Sequence, residues 1–398
     1  MAFPSRNIMV LAAGQALTTT VISLLTSVSS LSGAHLAPTP LLSTLPVTAT
    51  VIGALAMIYP ASALMGRLGR RLGFMFKATV GVLGGAICIV ALSIGSFALL
   101  IVGTFLLGIF SAFGQYYRFA AIDAAKSPQQ RASAVATVTG AGVVGGLLGP
   151  FLGGHFAWSA PSVPYAGAFA ALCVVCIILA GTQSLLSADL GLDAKPASFA
   201  AAPKHRFHAN TDFLKASMIC AIGFSAMTLV MNAAPLSMHR DGHSMHASAL
   251  VLQTHFVLMY LPSFFNATLV KRIGERGLIL AGLAAGAAGC LLAFVTTPSL
   301  PLYILELGLS GVTWNFIFNG GTLLLATTYA PDQKTQAQGL NSLFVYACNV
   351  VASFSAGGLM ATFGWPIVNV VPLPMFILAC FALRASGKAK ALANPRTA

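Results

Sequence analysis

Long apolar runs dominate this sequence and restrict what it can fold into. Runs of about 18–25 residues, the length of helix that crosses the hydrocarbon core of a bilayer, recur along the whole chain. Only 7% of the 398 residues are charged and 57% are hydrophobic, which excludes a soluble domain of ordinary composition. The runs also lack the short alternating pattern of a membrane β-barrel. We therefore predict an all-α membrane protein with twelve transmembrane helices.

Topology rather than nucleic acid explains the formal charge of +13. With twelve helices, every Lys and Arg except Arg240 falls on one side of the membrane; this set includes Arg67, Arg70, Arg71 and Lys77, which follow the second helix. Since Lys and Arg mark cytoplasmic loops, we expect both termini in the cytoplasm. We expect the lipid bilayer as the surrounding partner, no nucleic acid, and a monomer.

An internal repeat divides the chain. The polar segment at residues 187–212 is typical of a linker, and we expect it in the cytoplasm. It separates an N-terminal half, 1–186, from a C-terminal half, 213–398, and each half has six predicted helices. The loop GRLGRR after the second helix returns as KRIGER after the eighth, with Arg67 and Arg272 at matching positions. The repeat predicts two pseudo-symmetric six-helix halves. The seven cysteines lie inside predicted helices, so we expect no disulfide framework.

Two adjacent helices of the C-terminal half carry soft metal ligands four residues apart. Met227 and Met231 lie on one helix, and His255 and Met259 lie on the next. Because the helices are antiparallel, Met231 should lie level with His255, and Met227 with Met259. Thioethers suit Cu(I), and a histidine inside a span is usually functional, so the four residues predict a Cu(I) site. Packing is the competing interpretation, because methionine commonly fills gaps in apolar cores.

Neighbouring residues suggest a path for the metal. We predict an outer capture site in the loop between these helices, at Met238, His239, His243, Met245 and His246. Cys220, two turns before Met227, is a candidate for metal exit, and Glu306, the only acid inside a predicted helix, is a candidate for proton coupling. The competing interpretations are an incidental solvated loop, a buried cysteine that acts as a small hydrophobe, and a carboxylate that reaches the headgroups.

The whole chain resembles the major facilitator superfamily. Ser62–Arg71 is similar to its loop motif, although neither copy of the motif keeps the aspartate, and Gly145–Gly154 resembles the motif of its antiporter branch. The pairs MxxxM and HxxxM, with NAAPLSM, LPSFFNATLVKRIG and GVTWNFIFNGG around them, are similar to the CcoA-like copper importers, which serve the assembly of haem-copper (cbb-type) cytochrome oxidases.

This resemblance implies alternating-access import of Cu(I), as transported substrate, across a bacterial inner membrane. It also implies the two pairs as metal ligands, no prosthetic group, and a cytoplasmic copper chaperone as partner.

Two other functions stay open. A proton-coupled carrier of a small organic solute, either a riboflavin importer or a drug-type exporter, would use Glu306 and aromatic residues near Phe318, Phe344 and Tyr346. A copper-sensing membrane receptor would use the histidine-rich loop, although no signalling domain is visible. We do not expect an enzyme, because the sequence shows no catalytic acid, base and nucleophile together.

Overall fold

The computed structural model describes residues 5–125, 128–160, 162–188, 190, 209–294, 299–330 and 333–385. Twelve helical segments in these ranges are long and apolar enough to cross a membrane, which confirms the predicted fold class. Numbered in chain order, spans 1–12 are Arg6–Leu36, Pro40–Ala61, Ala63–Ile94, Phe97–Asp123, Ser133–Phe156, Ala166–Gln183, Thr211–Arg240, Met245–Asn266, Thr268–Leu292, Leu300–Ala326, Gln336–Phe363 and Trp365–Arg384. Most of the predicted linker, residues 187–212, lies outside the described residues.

Individual helices do not all coincide with single spans. One helix covers spans 2 and 3, and others are interrupted within a span. Apart from those that match a span, the helices are Leu45–Ile94, Phe97–Gly114, Tyr117–Asp123, Pro128–Gly140, Gly142–Phe156, Met245–Tyr260, Ser263–Leu292, Lys334–Phe363, Trp365–Val370 and Pro372–Ala385. We call the side of the bundle on which Arg6 lies the termini side, and the opposite side the far side.

Two glycines break the helix near the start of spans 3 and 9. Gly69, in span 3, has φ 78°, and Gly274, in span 9, has φ 72°. Side chains of L-residues rarely adopt this backbone conformation, whereas glycine does so without steric cost. The two glycines occupy the same position in GRLGRR and KRIGER, so the break in the helix repeats together with the sequence.

Small residues allow spans 1 and 5 to approach closely. A side chain on Gly149 would collide with the Ser23 hydroxyl and with the backbone of span 1. The same hydroxyl donates a hydrogen bond to the carbonyl of Gly145 at 2.8 Å. The glycine-rich motif of span 5 therefore makes a tight helix contact within the first six spans.

The first six and the last six spans touch mainly along spans 2 and 11 and along spans 5 and 8, and span 1 also contacts spans 7 and 8. On the far side, the Thr48 hydroxyl donates to the Ser353 hydroxyl at 3.2 Å. Between spans 5 and 8, the Gln253 amide donates to the carbonyl of Leu147 at 2.7 Å. These contacts bring side chains from both sets of spans to a common interior.

Lys77 lies inside the bundle rather than in a loop, so its predicted assignment to the basic loop residues is wrong. Its side chain is fully buried, and its ammonium donates to the Thr18 hydroxyl of span 1 at 2.6 Å. The nitrogen lies 4.5 Å, 4.7 Å and 5.6 Å from the ring centres of Tyr117, Phe110 and Phe74. Three aromatic faces and a hydroxyl oxygen thus surround the charge in place of water.

An ion pair joins the GRLGRR segment, near the start of span 3, to span 4. The guanidinium of Arg70 lies 3.0 Å from the carboxylate of Asp123. Asp123 ends the helix Tyr117–Asp123, so the pair ties this segment to the termini-side end of span 4. The chain therefore has an acidic partner for its basic loop even though the loop motif lacks its own aspartate.

Candidate substrate-binding site

Three methionines meet between spans 7 and 8. Met227 and Met259 are buried in one apolar core, and the half-buried Met231 packs against it. We call these three residues the methionine cluster. The facing positions follow from the antiparallel helices, whose equal rise brings Met227 level with Met259.

His255 is fully buried one turn before Met259. Its Nδ1 donates a hydrogen bond at 2.8 Å to the carbonyl of Leu307 on span 10, because a carbonyl can only accept. This contact leaves Nε2 as an acceptor, and Nε2 has no hydrogen-bond partner among the described residues. Histidines that bind metals are commonly oriented by such a bond from their other nitrogen.

A metal ion at this place would depend on the methionine sulfurs. Within the described part of the chain, no three His, Cys, Asp or Glu side chains group closely enough to hold a metal. The donor set would then be one imidazole nitrogen and up to three thioethers, which favours Cu(I) over zinc, magnesium or calcium.

Five aromatic side chains form a group beside the methionine cluster. They are half-buried, come from spans 7, 8, 10 and 11, and form what we call the aromatic cluster: Phe224, Tyr260, Trp314, Phe318 and Tyr346. Trp314 and Phe318 lie nearly parallel, with ring centroids 5.2 Å apart and planes at 9°. Phe224 meets both rings edge-on, at 5.8 Å and 5.6 Å. This arrangement presents flat apolar faces next to polar tyrosine hydroxyls.

Contact with these rings also gives the methionines a packing role. Phe224, Tyr260 and Trp314 pack against the core that contains Met227 and Met259. Thioether sulfur interacts favourably with aromatic rings. The methionine cluster can therefore serve either as a ligand set or as the wall behind the rings.

Arg118 approaches the aromatic cluster from the first six spans. It lies near the termini-side end of span 4, with an exposed side chain, and interacts electrostatically with Tyr346 of span 11 and with Tyr116. Its guanidinium lies over the ring of Phe119, 4.9 Å from the centroid. Arg118 forms no ion pair with any residue that the structure describes. An accessible positive charge thus lies where the two sets of spans meet.

The loop predicted to capture metal divides between the protein interior and the surface. Met238 is buried and its sulfur accepts a hydrogen bond from Ser248 at 3.5 Å. Met245 packs against the core of the first six spans. The two sulfurs therefore belong to different apolar cores.

Two of the three loop histidines are exposed, whereas the third is half-buried, as Met245 is. His239 and His246 are exposed, whereas His243 is half-buried and meets the ring of Tyr303 edge-on at 5.7 Å. The Nε2 of His243 has no hydrogen-bond partner among the described residues. His239 and His246 are therefore the exposed candidates for metal capture on the far side.

Glu306 is buried in the bundle. One carboxylate oxygen accepts a hydrogen bond from the indole of Trp365 at 3.0 Å, and the other has no hydrogen-bond partner in the described chain. The residue borders a cavity of about 20 Å³, room for one water molecule, lined also by Met227, Thr313 and Asn369. Glu306 and Met227 of the methionine cluster thus line the same cavity.

Cys220 is fully buried beneath the aromatic cluster. It packs with Val345, and Phe224, Phe318 and Cys348 pack against the same group. Its thiol lies on the termini side of Met227, as the helix rise predicts, but in apolar surroundings.

Only part of the aromatic cluster was predicted from the sequence. The prediction did not include Phe224, Tyr260, Trp314 or Arg118. Phe344 does not belong to the cluster, since it is 42% exposed on another face of span 11. The signal that could have found Trp314 is its spacing of four residues from Phe318, which places both on one face of a helix.

A bundle of twelve spans in two sets of six, with polar and aromatic groups where the sets meet, has the architecture of a secondary transporter. The Major Facilitator Superfamily matches residues 9–238 and 216–397, and the chain belongs to this family. The riboflavin transporter RfnT of Brucella anthropi is 30% identical over 397 residues, which cover 97% of each chain. The uncharacterised transporter YdeG of Bacillus subtilis is 29% identical over 332 residues, covering 80% of this chain and 76% of YdeG.

Solved structures of other transporters share the fold at low identity. The nucleoside transporter NupG has a TM-score of 0.73 at 13% identity, with 97% of this chain and all of that chain covered (100%). A bacterial homologue of the human lysosomal transporter Spinster has a TM-score of 0.72 at 15% identity, with 98% of each chain covered. At these identities the likeness establishes the fold alone.

Proposed function

We propose that this chain imports a flavin, with riboflavin as the first substrate to test, across a bacterial inner membrane by alternating access. The observation that carries the proposal is the aromatic cluster, in which Trp314 and Phe318 lie parallel within the interior. The full-length similarity to a protein named as a riboflavin transporter supports it. The comparisons thus favour the organic-solute alternative over copper.

The chemistry of the site suits a flat, uncharged ring system. Stacking of a nucleic-acid base on an aromatic side chain contributes about 1–3 kcal/mol, and a flavin ring offers a larger face of the same kind. Riboflavin carries no net charge at neutral pH, so Arg118 would not repel it. A Cu(I) ion would meet a like charge at the same place.

In this proposal both termini lie in the cytoplasm, because the basic loops that contain Arg67 and Arg272 mark the cytoplasmic side. Glu306 carries the coupling proton. A carboxylate that is buried in a membrane with one oxygen unpartnered is costly when charged, so protonation during the transport cycle would relieve that cost.

Uptake of labelled riboflavin in a riboflavin-auxotrophic bacterium that lacks its own transporter tests the proposal. Cells that express the wild-type chain should accumulate riboflavin, and Trp314→Ala should reduce accumulation at low riboflavin concentration. Trp158→Ala is the matched control, because Trp158 is exposed outside the aromatic cluster. If the wild type accumulates no riboflavin while present in the membrane, the proposal fails.

Cu(I) import is a second candidate, and His255 is the observation that favours it. The imidazole of His255 is fully buried, its Nδ1 is hydrogen-bonded to the carbonyl of Leu307, and its Nε2 has no described partner. Burial of an unpartnered polar nitrogen costs free energy, and a ligand on Nε2 would remove that cost. The methionine cluster offers soft sulfur nearby, and the paired spacing resembles that of the CcoA-like importers. In this alternative the exposed loop histidines capture copper, Cys220 assists its exit, and a cytoplasmic chaperone accepts it.

Radioactive copper uptake separates the two candidates. Import of Cu(I) predicts that His255→Ala and Met227→Ala abolish uptake, while His155→Ala and Met9→Ala, whose side chains are exposed, have no effect. Copper uptake equal to that of cells without the protein would exclude this candidate.

A further inference from the structure

We infer that Arg118 is the residue of the first six spans that recognises the substrate, by binding the polar edge of a flavin ring through two parallel hydrogen bonds. This inference rests on the proposed function and adds a specificity-determining residue to it. Nothing in the sequence pattern singled out Arg118, because it lies at the basic termini-side end of span 4 among residues that topology alone explains.

Arg118 lies beside the aromatic cluster. Tyr346 lies 5.9 Å from Phe224, ring centre to ring centre, and interacts electrostatically with both Tyr260 and Arg118. Arg118 is therefore a neighbour of the aromatic cluster although it belongs to the other set of spans. A ligand that stacks on Trp314 would extend between the two sets, as alternating access requires of a substrate.

Arg118 has unused hydrogen-bond donors. Its side chain is exposed and forms no ion pair with a described residue, whereas Arg70 already pairs with Asp123. The hydroxyl of Tyr116 donates to the carbonyl of Ile58, so it can serve Arg118 only as an acceptor. A guanidinium carries five N–H donors, and these contacts leave several unused.

The guanidinium of Arg118 is chemically complementary to the polar edge of a flavin ring. A flavin presents two pairs of adjacent acceptors on its ring edge, N5 with the C4 carbonyl and N1 with the C2 carbonyl. Each pair matches the fork of a guanidinium in the way that N7 and O6 of guanine match arginine in DNA. Lysine could supply only a point charge there. The inference therefore predicts selection for the acceptor pair and not for charge alone.

Transport kinetics with flavin analogues test this inference. KM for riboflavin, 5-deazariboflavin and 1-deazariboflavin is measured for the wild type, Arg118→Gln and Arg118→Lys in proteoliposomes, with the amount of reconstituted protein determined for each. We expect both variants to raise KM for riboflavin roughly 5- to 150-fold, the factor associated with a bidentate arginine contact. For one of the two deaza analogues, KM should no longer depend on Arg118, because that analogue lacks the ring nitrogen of the acceptor pair that Arg118 binds. Arg384→Gln, an exposed arginine at the end of span 12, should leave all three KM values unchanged.

Two results would overturn the inference. In the first, Arg118→Gln leaves KM for riboflavin unchanged; in the second, it raises KM equally for all three flavins, as expected for a merely structural residue. Failure of the proposed function is distinguished by the wild type itself, which would then transport none of the flavins. If copper is the cargo, Arg118→Gln should increase copper uptake, since it removes a like charge.

Discussion

The aromatic cage of Lys77 allows a quantitative prediction about the first six spans. Lys77 joins span 3 to span 1 through Thr18 and to span 4 through Phe110 and Tyr117. Burying an ammonium costs several kcal/mol, whereas each desolvated cation–π contact contributes about 2 kcal/mol and a hydrogen bond to a charged group about 1.5–3 kcal/mol. Three rings and one hydroxyl therefore roughly offset the cost of burial.

This balance predicts different losses of stability for substitutions at Lys77 and at Thr18. Lys77→Met removes the charge and keeps the length of the side chain, so stability should change by less than about 2 kcal/mol. Thr18→Val leaves the charge in place but removes its oxygen partner, so it should cost about 2 kcal/mol. In the Lys77→Met background, Thr18→Val should change the free energy of unfolding by close to nothing. The difference between the cost of Thr18→Val in the wild type and in this background is the coupling energy of the two residues.

Equilibrium unfolding in mixed SDS micelles measures the four free energies of this double-mutant cycle. Lys77→Ala provides a further comparison, because it leaves a cavity and should cost more than Lys77→Met. The reasoning is refuted if Thr18→Val has the same cost in both backgrounds, or if Lys77→Met is as damaging as Lys77→Ala.

Three further predictions concern coupling, packing and the backbone break. Glu306→Gln should abolish riboflavin accumulation driven by a proton gradient but spare riboflavin exchange at equilibrium; equal loss of both activities would contradict a coupling role. Gly149→Ala should lower the thermal midpoint of the purified protein, since a Cβ there collides with span 1, whereas Gly181→Ala, where the space is open, should not. Gly274→Ala should cost about 1–2 kcal/mol in the same unfolding assay, because φ is positive and no side-chain clash contributes; an unchanged free energy of unfolding would show that the helix break does not need glycine.

The topology could be predicted from the sequence because it depends on local features. Span length follows from the thickness of the bilayer, and the turn at Gly274 could be located through its repeat at Gly69. Lys77 could not be placed correctly from local features. A lysine near the end of an apolar run is assigned to the loop by default, and only the packing of rings from another helix decides whether it is buried.

The candidate site, too, could be predicted only in part from the sequence. Met227 and Met259 could be paired from helix rise alone, because both helices are consecutive and antiparallel. The approach of Arg118 to Tyr346 joins spans 4 and 11 of different halves, and periodicity within a helix carries no information about which faces of distant helices meet. The substrate preference that follows from this contact is therefore visible only in three dimensions.

Parallel uptake of riboflavin and Cu(I) by the same proteoliposomes, with an imposed inward proton gradient, tests the proposed function most directly. We predict that labelled riboflavin accumulates in vesicles with the wild-type protein, that Trp314→Ala reduces this accumulation, and that copper uptake does not exceed that of empty vesicles. Accumulation of copper that requires Met227 and His255, without any accumulation of riboflavin, would contradict the proposal.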